Sequence, residues 1–148
     1  MSDWNRGVIE EFRANKGKVA AFGHQPLLLV THTGAKTKTQ RTNPLACFRD
    51  GENYFVVASK GGAPTNPDWY YNLVANPRVT IEVGTEKGIQ KLDVTAKPAD
   101  PNERKRLWAM VKDRNPSFRD YEKKTSRTIP LVILTPSSGG AKSGPKMP

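Results

Sequence analysis

Residues 27–59 read LLLVTHTGAKTKTQRTNPLACFRDGENYFVVAS, and this stretch decides the fold class. It holds three apolar runs, 27–32, 41–49 and 54–59, each the length of a strand and too short for a helix. Polar turn sequence separates them. Thr33-Gly34-Ala35-Lys36-Thr37-Lys38-Thr39-Gln40 reads as a hairpin loop, and Asp50-Gly51-Glu52-Asn53 is a strong turn signal. Consecutive hairpins imply an antiparallel sheet. The third run ends in Ser59-Lys60-Gly61-Gly62-Ala63-Pro64, which can continue neither a strand nor a helix.

Outward from this core, residues 3–17 read as an amphipathic helix with Asp3 as cap, with Trp4, Val8, Ile9 and Phe12 on its apolar side and Gly17 as a stop. Asn66 and Pro67 are placed to cap and open a helix running to about Ala75, which Asn76-Pro77 ends. Residues 78–84 and 89–97 form another strand pair. Pro101 opens a charged helix to about Asp113, whose apolar side is Leu107, Met110 and Val111. A second helical piece runs from Pro116 to about Lys124, and residues 129–134 form a closing strand. The order predicts an α+β chain with about six mostly antiparallel strands and flanking helices. Such strands can close into a small barrel or stay an open sheet. Residues 1–135 are expected to form one domain, with a disordered Ser/Gly/Lys/Pro-rich tail over 136–148.

The chain has 148 residues and a formal net charge of +10. No acidic residue lies between Glu11 and Asp50, a segment that carries Arg13, Lys16, Lys18, Lys36, Lys38, Arg41 and Arg49. A long segment of one sign suits an anionic ligand or a solvated basic face. No motif for reading nucleic acid accompanies the charge, so no specific nucleic-acid partner is expected. No apolar stretch approaches a membrane span, and residues 1–4 do not resemble a signal peptide, so the expected location is the cytoplasm. Peripheral membrane contact by the N-terminal helix is disfavoured by Glu10 and Glu11. Cys47 is alone, which excludes an internal disulfide, and it reads as a small core residue. His24 and His32 read as structural or surface residues, and no metal-ligand spacing occurs.

Three stretches could carry chemistry. The loop 31–38 with Arg41-Thr42-Asn43-Pro44-Leu45 combines a turn glycine, hydroxyls and cations, a fit for phosphate. The 58–63 stretch allows close backbone approach to a ligand through Gly61 and Gly62. The 66–73 stretch opens a helix amid Trp69, Tyr70 and Tyr71, suited to anions and planar rings, while Trp69 and Leu73 share a face suited to core packing.

In order along residues 27–134, these blocks resemble the signature of the deazaflavin-dependent nitroreductase family. Val30 to Thr37 with Arg41-Thr42-Asn43-Pro44-Leu45 is similar to T-T-T-G-R-K-T-G-x-x-R-x-N-P-L. Val57 to Ala63, Asn66-Pro67-x-Trp69-Tyr70-x-Asn72-Leu73 and Asn76-Pro77 resemble its second block, and 116–121 with 127–130 its third. The resemblance implies a split β-barrel and reduced coenzyme F420 as hydride donor to a small electron-poor acceptor such as a quinone, activated enone or nitroaromatic. It implies cofactor contacts from Ala35, Lys36, Thr37, Lys38, Arg41, Thr42, Asn43, Pro44, Leu45 and Ala46. Val57, Ala58, Ser59, Lys60, Asp68, Trp69, Tyr70, Tyr71, Asn72 and Phe118 complete that set. It further implies that Ser59 and Tyr121 act on ring or substrate and that Trp69 walls the pocket. The sequence departs from the signature at Ala35 and Lys38, where Arg and Gly are common. Where the nitroreductase prototype carries several tyrosines, Asn115, Phe118 and Tyr121 leave one hydroxyl. Two other readings share these motifs: a protein that binds F420 without turnover, and a relative that uses FMN. The sequence leaves the oligomeric state open.

Overall fold

The computed structural model describes residues 3–23, 25–58, 65–126 and 128–137, with side chains from Asn5 onward. His24, Ser59, Lys60, residues 61–64, Arg127 and residues 138–148 therefore lie outside the described residues, as do the side chains of Asp3 and Trp4.

Six strands close into one barrel: β1 (Leu27–Thr33), β2 (Gln40–Asp50), β3 (Asn53–Val57), β4 (Arg78–Thr85), β5 (Gly88–Pro98) and β6 (Leu131–Pro136). Around the barrel the order is β1-β2-β3-β6-β5-β4, and every neighbouring pair is antiparallel. The three hairpins lie where the sequence puts them. Closure comes from β1 against β4 and from β6, which seats between β3 and β5.

Alternation along each strand sorts the apolar residues into two sets. Leu28, Val30, Cys47, Val56, Val79, Ile81, Leu92, Val94, Val132 and Leu134 point inward and fill the barrel. The opposite face is covered by helices. Helix α1 (Asp3–Ala14) lays Val8, Ile9 and Phe12 over Leu27 and Leu29. Helices α3 (Pro101–Arg114) and α4 (Ser117–Lys124) cover Phe48, Phe55, Leu131 and Ile133 with Leu107, Trp108, Val111 and Phe118. On α3 the apolar side is Leu107, Trp108 and Val111, with Met110 only partly buried. Trp108 was not expected there, but its ring packs inward while its indole N–H donates to Glu122 at 2.5 Å.

Helix α2 (Asp68–Ala75) starts one residue later than the sequence predicts, with Pro67 as its cap. Asn66 instead donates to the Tyr71 hydroxyl at 3.4 Å. Helix α1 is tied to the barrel by Arg13, which donates to both oxygens of the buried Glu82 carboxylate at 3.0 and 2.8 Å. Its exit crosses β4 so closely that a Cβ on Gly84 would run into the Lys16 carbonyl, and only glycine fits there. No helix among the described residues is long and apolar enough to cross a membrane.

Candidate functional site

The 34–39 turn, the start of β2 and the first turns of α2 meet at one end of the barrel. Gly34, Ala35, Lys36, Thr37, Arg41, Asp68, Tyr71 and Asn72 line an open cleft of about 570 Å³. The turn is rigid by its own hydrogen bonds. Gly34 N–H donates to the Thr39 carbonyl at 2.8 Å and Lys38 N–H to the Gly34 carbonyl at 3.1 Å, while the Thr37 and Thr39 hydroxyls pair at 2.8 Å. Lys38 adopts φ +62, the left-handed conformation natural to glycine, which is a physical reason for the glycine common at this position of the signature.

The cleft is built for an anion. Among the described residues no ion pair involves Lys36, Lys38 or Arg41. Lys36 and Thr37 are exposed residues, and among the described residues no hydrogen bond uses the backbone N–H of either. Asp68 is the one carboxylate in the lining. Two cations without ion-pair partners beside one concavity can attract an anionic group. Tyr71 is half exposed at the rim and meets Tyr70 edge-on at a centroid distance of 5.4 Å, offering an aromatic surface.

Behind the turn stands a buried polar relay. The Ala35 N–H donates to Asn72 Oδ1 at 2.9 Å, and Asn72 Nδ2 donates to His32 Nδ1 at 3.1 Å. His32 Nε2 in turn donates to Asn43 Oδ1 at 2.7 Å. Burial holds the His32 pKa below its usual value against the opposing hydrogen bond to Asn43, and the Arg41 charge lowers it further. His32 is thus a buried structural histidine, one of the two readings the sequence allows.

The other predicted residues divide between two places. Alternation along β2 turns Asn43 and Leu45 inward, where Leu45 packs on the barrel core, and turns Thr42, Pro44 and Ala46 outward. Thr42 pairs its hydroxyl with that of Thr31 at 3.0 Å. The outward Ala46 and Val57 belong to the same apolar surface as Phe118 and Tyr121 on α4. Phe118 is buried, edge-on to Phe48 at 6.0 Å and to Tyr121 at 5.2 Å, while Tyr121 is half-buried. Ala58 and Trp69 face the barrel interior, and Tyr70 packs partly against it. Trp69 is thus a core residue, and Tyr71 is the aromatic at the cleft. Ser59 and Lys60 lie outside the described residues. Burial pushes the Cys47 thiol up to about 12, which fits a packing role and not a nucleophile.

Sequence reasoning missed the relay as a unit. Its three side chains sit 11 and 29 residues apart along the chain, at 32, 43 and 72, and no local signal joins them. The available hint was polarity at inward positions: His32 follows Leu28 and Val30 in alternation.

Residues 4–136 match the family model of the F420H2-dependent quinone reductases. An F420H2-dependent quinone reductase of Mycobacterium tuberculosis is 44% identical over 129 residues, covering 84% of each chain. The solved structure of an F420H2-dependent reductase is 38% identical, with a TM-score of 0.64, over 74% of this chain and 93% of that one. A structure described as a domain-swapped dimer is 35% identical, with a TM-score of 0.66, over 89% of this chain and 97% of that one. The deazaflavin resemblance and the split barrel it implies hold, and the chain belongs to the F420H2-dependent quinone reductase family.

Proposed function

We propose that the protein catalyses hydride transfer from reduced coenzyme F420 to a quinone, and that the cleft beside the 34–39 turn would hold the cofactor's phosphodiester. The observation that carries this reading is the cleft itself, lined by Lys36 and Arg41, which have no ion-pair partner among the described residues. When bound, the deazaflavin supplies the two-electron chemistry, and the protein supplies position and electrostatics. Ala46, Val57 and Tyr121 are partly buried against the core cluster that holds Phe118, and this side of the barrel is where a planar ring and a flat acceptor would lie. Tyr121 has the only phenol on that surface, and its hydroxyl donates a proton or hydrogen bond to the acceptor oxygen as charge builds there. Ser59 hydrogen-bonds the ring or acceptor.

Steady-state oxidation of F420H2 by a soluble quinone tests the proposal. Saturable turnover supports it, with Tyr121→Phe expected to lower kcat by roughly tenfold or more while leaving cofactor affinity unchanged. Tight F420 binding without turnover would make the protein a carrier. Reduction of the same quinone with reduced FMN in place of F420H2 would overturn the cofactor assignment.

A further inference from the structure

The Ala35–Asn72–His32–Asn43 relay has one consistent proton arrangement, and it can be read from the backbone. The Ala35 N–H can only donate, so the atom of Asn72 facing it is the oxygen. The Asn72 amide nitrogen then faces His32 Nδ1 and donates to it. Nδ1 must carry a lone pair, and the ring proton sits on Nε2, donated to Asn43 Oδ1. His32 is 3% exposed and Asn72 7%, so water does not substitute easily for a broken link.

We propose that His32 is a positioning residue that makes the cofactor cleft pH-sensitive: its neutral ring holds Asn72 in the orientation that fastens the 34–39 turn, and protonation unfastens it. This rests on the reading of that turn as the phosphodiester anchor. An imidazolium carries a proton on both nitrogens. Its Nδ1–H would face the Asn72 NH2 group, donor against donor. Turning the Asn72 amide over repairs that contact and sets NH2 against the Ala35 N–H. Either way the Ala35–Asn72 hydrogen bond that fastens the turn to α2 is lost, beside the exposed residues Lys36 and Thr37.

Arg41, opposite His32 across the β1–β2 pair, is the charge that acts on the ring, while Lys36 and Asp68 line the cleft with Arg41 and Asn72. The paired stretch of β4 offers only Glu82, whose carboxylate is held by Arg13. Burial first and the Arg41 charge after it favour the neutral ring, against the hydrogen bond to Asn43. The sign of the effect separates this device from simple electrostatics. A new positive charge near an anion site would tighten binding as pH falls, whereas a released turn weakens it.

The test has two arms. In unliganded protein, NMR follows the imidazole nitrogens of His32 and the amide of Ala35 through an acid titration. The expected result is a neutral ring protonated on Nε2, and an Ala35 amide that shifts with the same midpoint as the ring. A neutral ring protonated on Nδ1, or an Ala35 amide indifferent to the ring, overturns the inference. In the second arm, F420 affinity is measured against pH for the native protein and for His32→Gln, which cannot gain a charge. Native affinity is expected to fall about fivefold to tenfold through the His32 midpoint, the worth of one lost hydrogen bond, and the variant to respond less. Affinity that is flat or rises toward acid overturns the inference. If F420 does not bind at any pH, the functional reading fails, and the first arm alone decides the relay. Should His32→Gln not fold, the native titration and the first arm still decide.

Discussion

The two ends of the barrel carry clefts of nearly equal size, and they differ in what their cations do. At the turn end, about 570 Å³ is lined by Lys36 and Arg41, which have no ion-pair partners among the described residues. At the other end, about 540 Å³ is lined by Gln25, Cys47, Arg49, Tyr54, Arg114 and Asn115 among others. There the donors are committed. Arg49 stacks over the Tyr54 ring at 4.3 Å and donates to the Gly51 carbonyl at 3.0 Å, and Arg114 donates to the Arg49 carbonyl at 3.3 Å. Asn115 Nδ2 donates to Gln25 Oε1 at 2.7 Å, and Gln25 Nε2 donates to the Pro26 and Cys47 carbonyls. Volume does not distinguish a binding site from a packing gap; unfilled hydrogen-bonding capacity does.

The largest expected effect sharpens this contrast. Arg41→Ala removes a charged donor from the turn cleft and should weaken F420 binding by roughly tenfold to a hundredfold in a fluorescence titration. The loss should shrink at high salt, because the cleft is open. A loss of less than twofold would break the comparison.

Acid should strip stability from the two ends in sequence. His32, at the turn end, has a folded pKa below its unfolded value of about 6.5. Its contribution is full above that unfolded value and is lost as pH falls toward the folded one. Asp50, at the opposite end, is held down by the Arg106 guanidinium at 2.8 Å. Its contribution is present above about pH 4 and is lost only below that, and exposure keeps it small. Denaturation midpoints measured across pH should therefore decline first below neutrality and again in strong acid, with His32→Gln removing the first decline.

A smaller effect is expected at Lys38. Lys38→Gly relieves the left-handed backbone and should raise stability by about 0.5–1 kcal/mol in chemical denaturation, with the turn's shape retained. The smallest belongs to the opposite cleft, where Arg114→Ala should leave F420 affinity within the error of the titration.

The hairpins were legible because each is a local event: the 50–53 turn signal sits between two alternating runs, and β2 and β3 pair through it as expected. Barrel closure was not legible from the pattern. The pairing of β1 with β4 joins residues about fifty apart, such as Leu28 and Val83, and nothing in either run names its partner. Here the family resemblance supplied what periodicity could not. At the site, the loop cations and Asn72 were readable as a ligand-facing block, and the structure gathers Ala35, Lys36, Thr37, Arg41, Asp68, Tyr71 and Asn72 in one cleft. For Trp69 the sequence offered both core packing with Leu73 and a wall of the pocket; the structure puts it in the core, and Tyr71, two residues on, lines the cleft. Nor could it show that His32 and Asn43 hold Asn72 from within, since that contact is made only when the barrel closes.

The central claim is that the turn cleft anchors coenzyme F420. Its most direct test is a titration of F420 into the native protein and into Lys36→Ala/Arg41→Ala, with FMN as competitor. The account predicts micromolar or tighter binding to the native protein, no displacement by FMN, and a roughly hundredfold or greater loss in the double variant. Equal affinity in both proteins, or displacement of F420 by FMN, would contradict it.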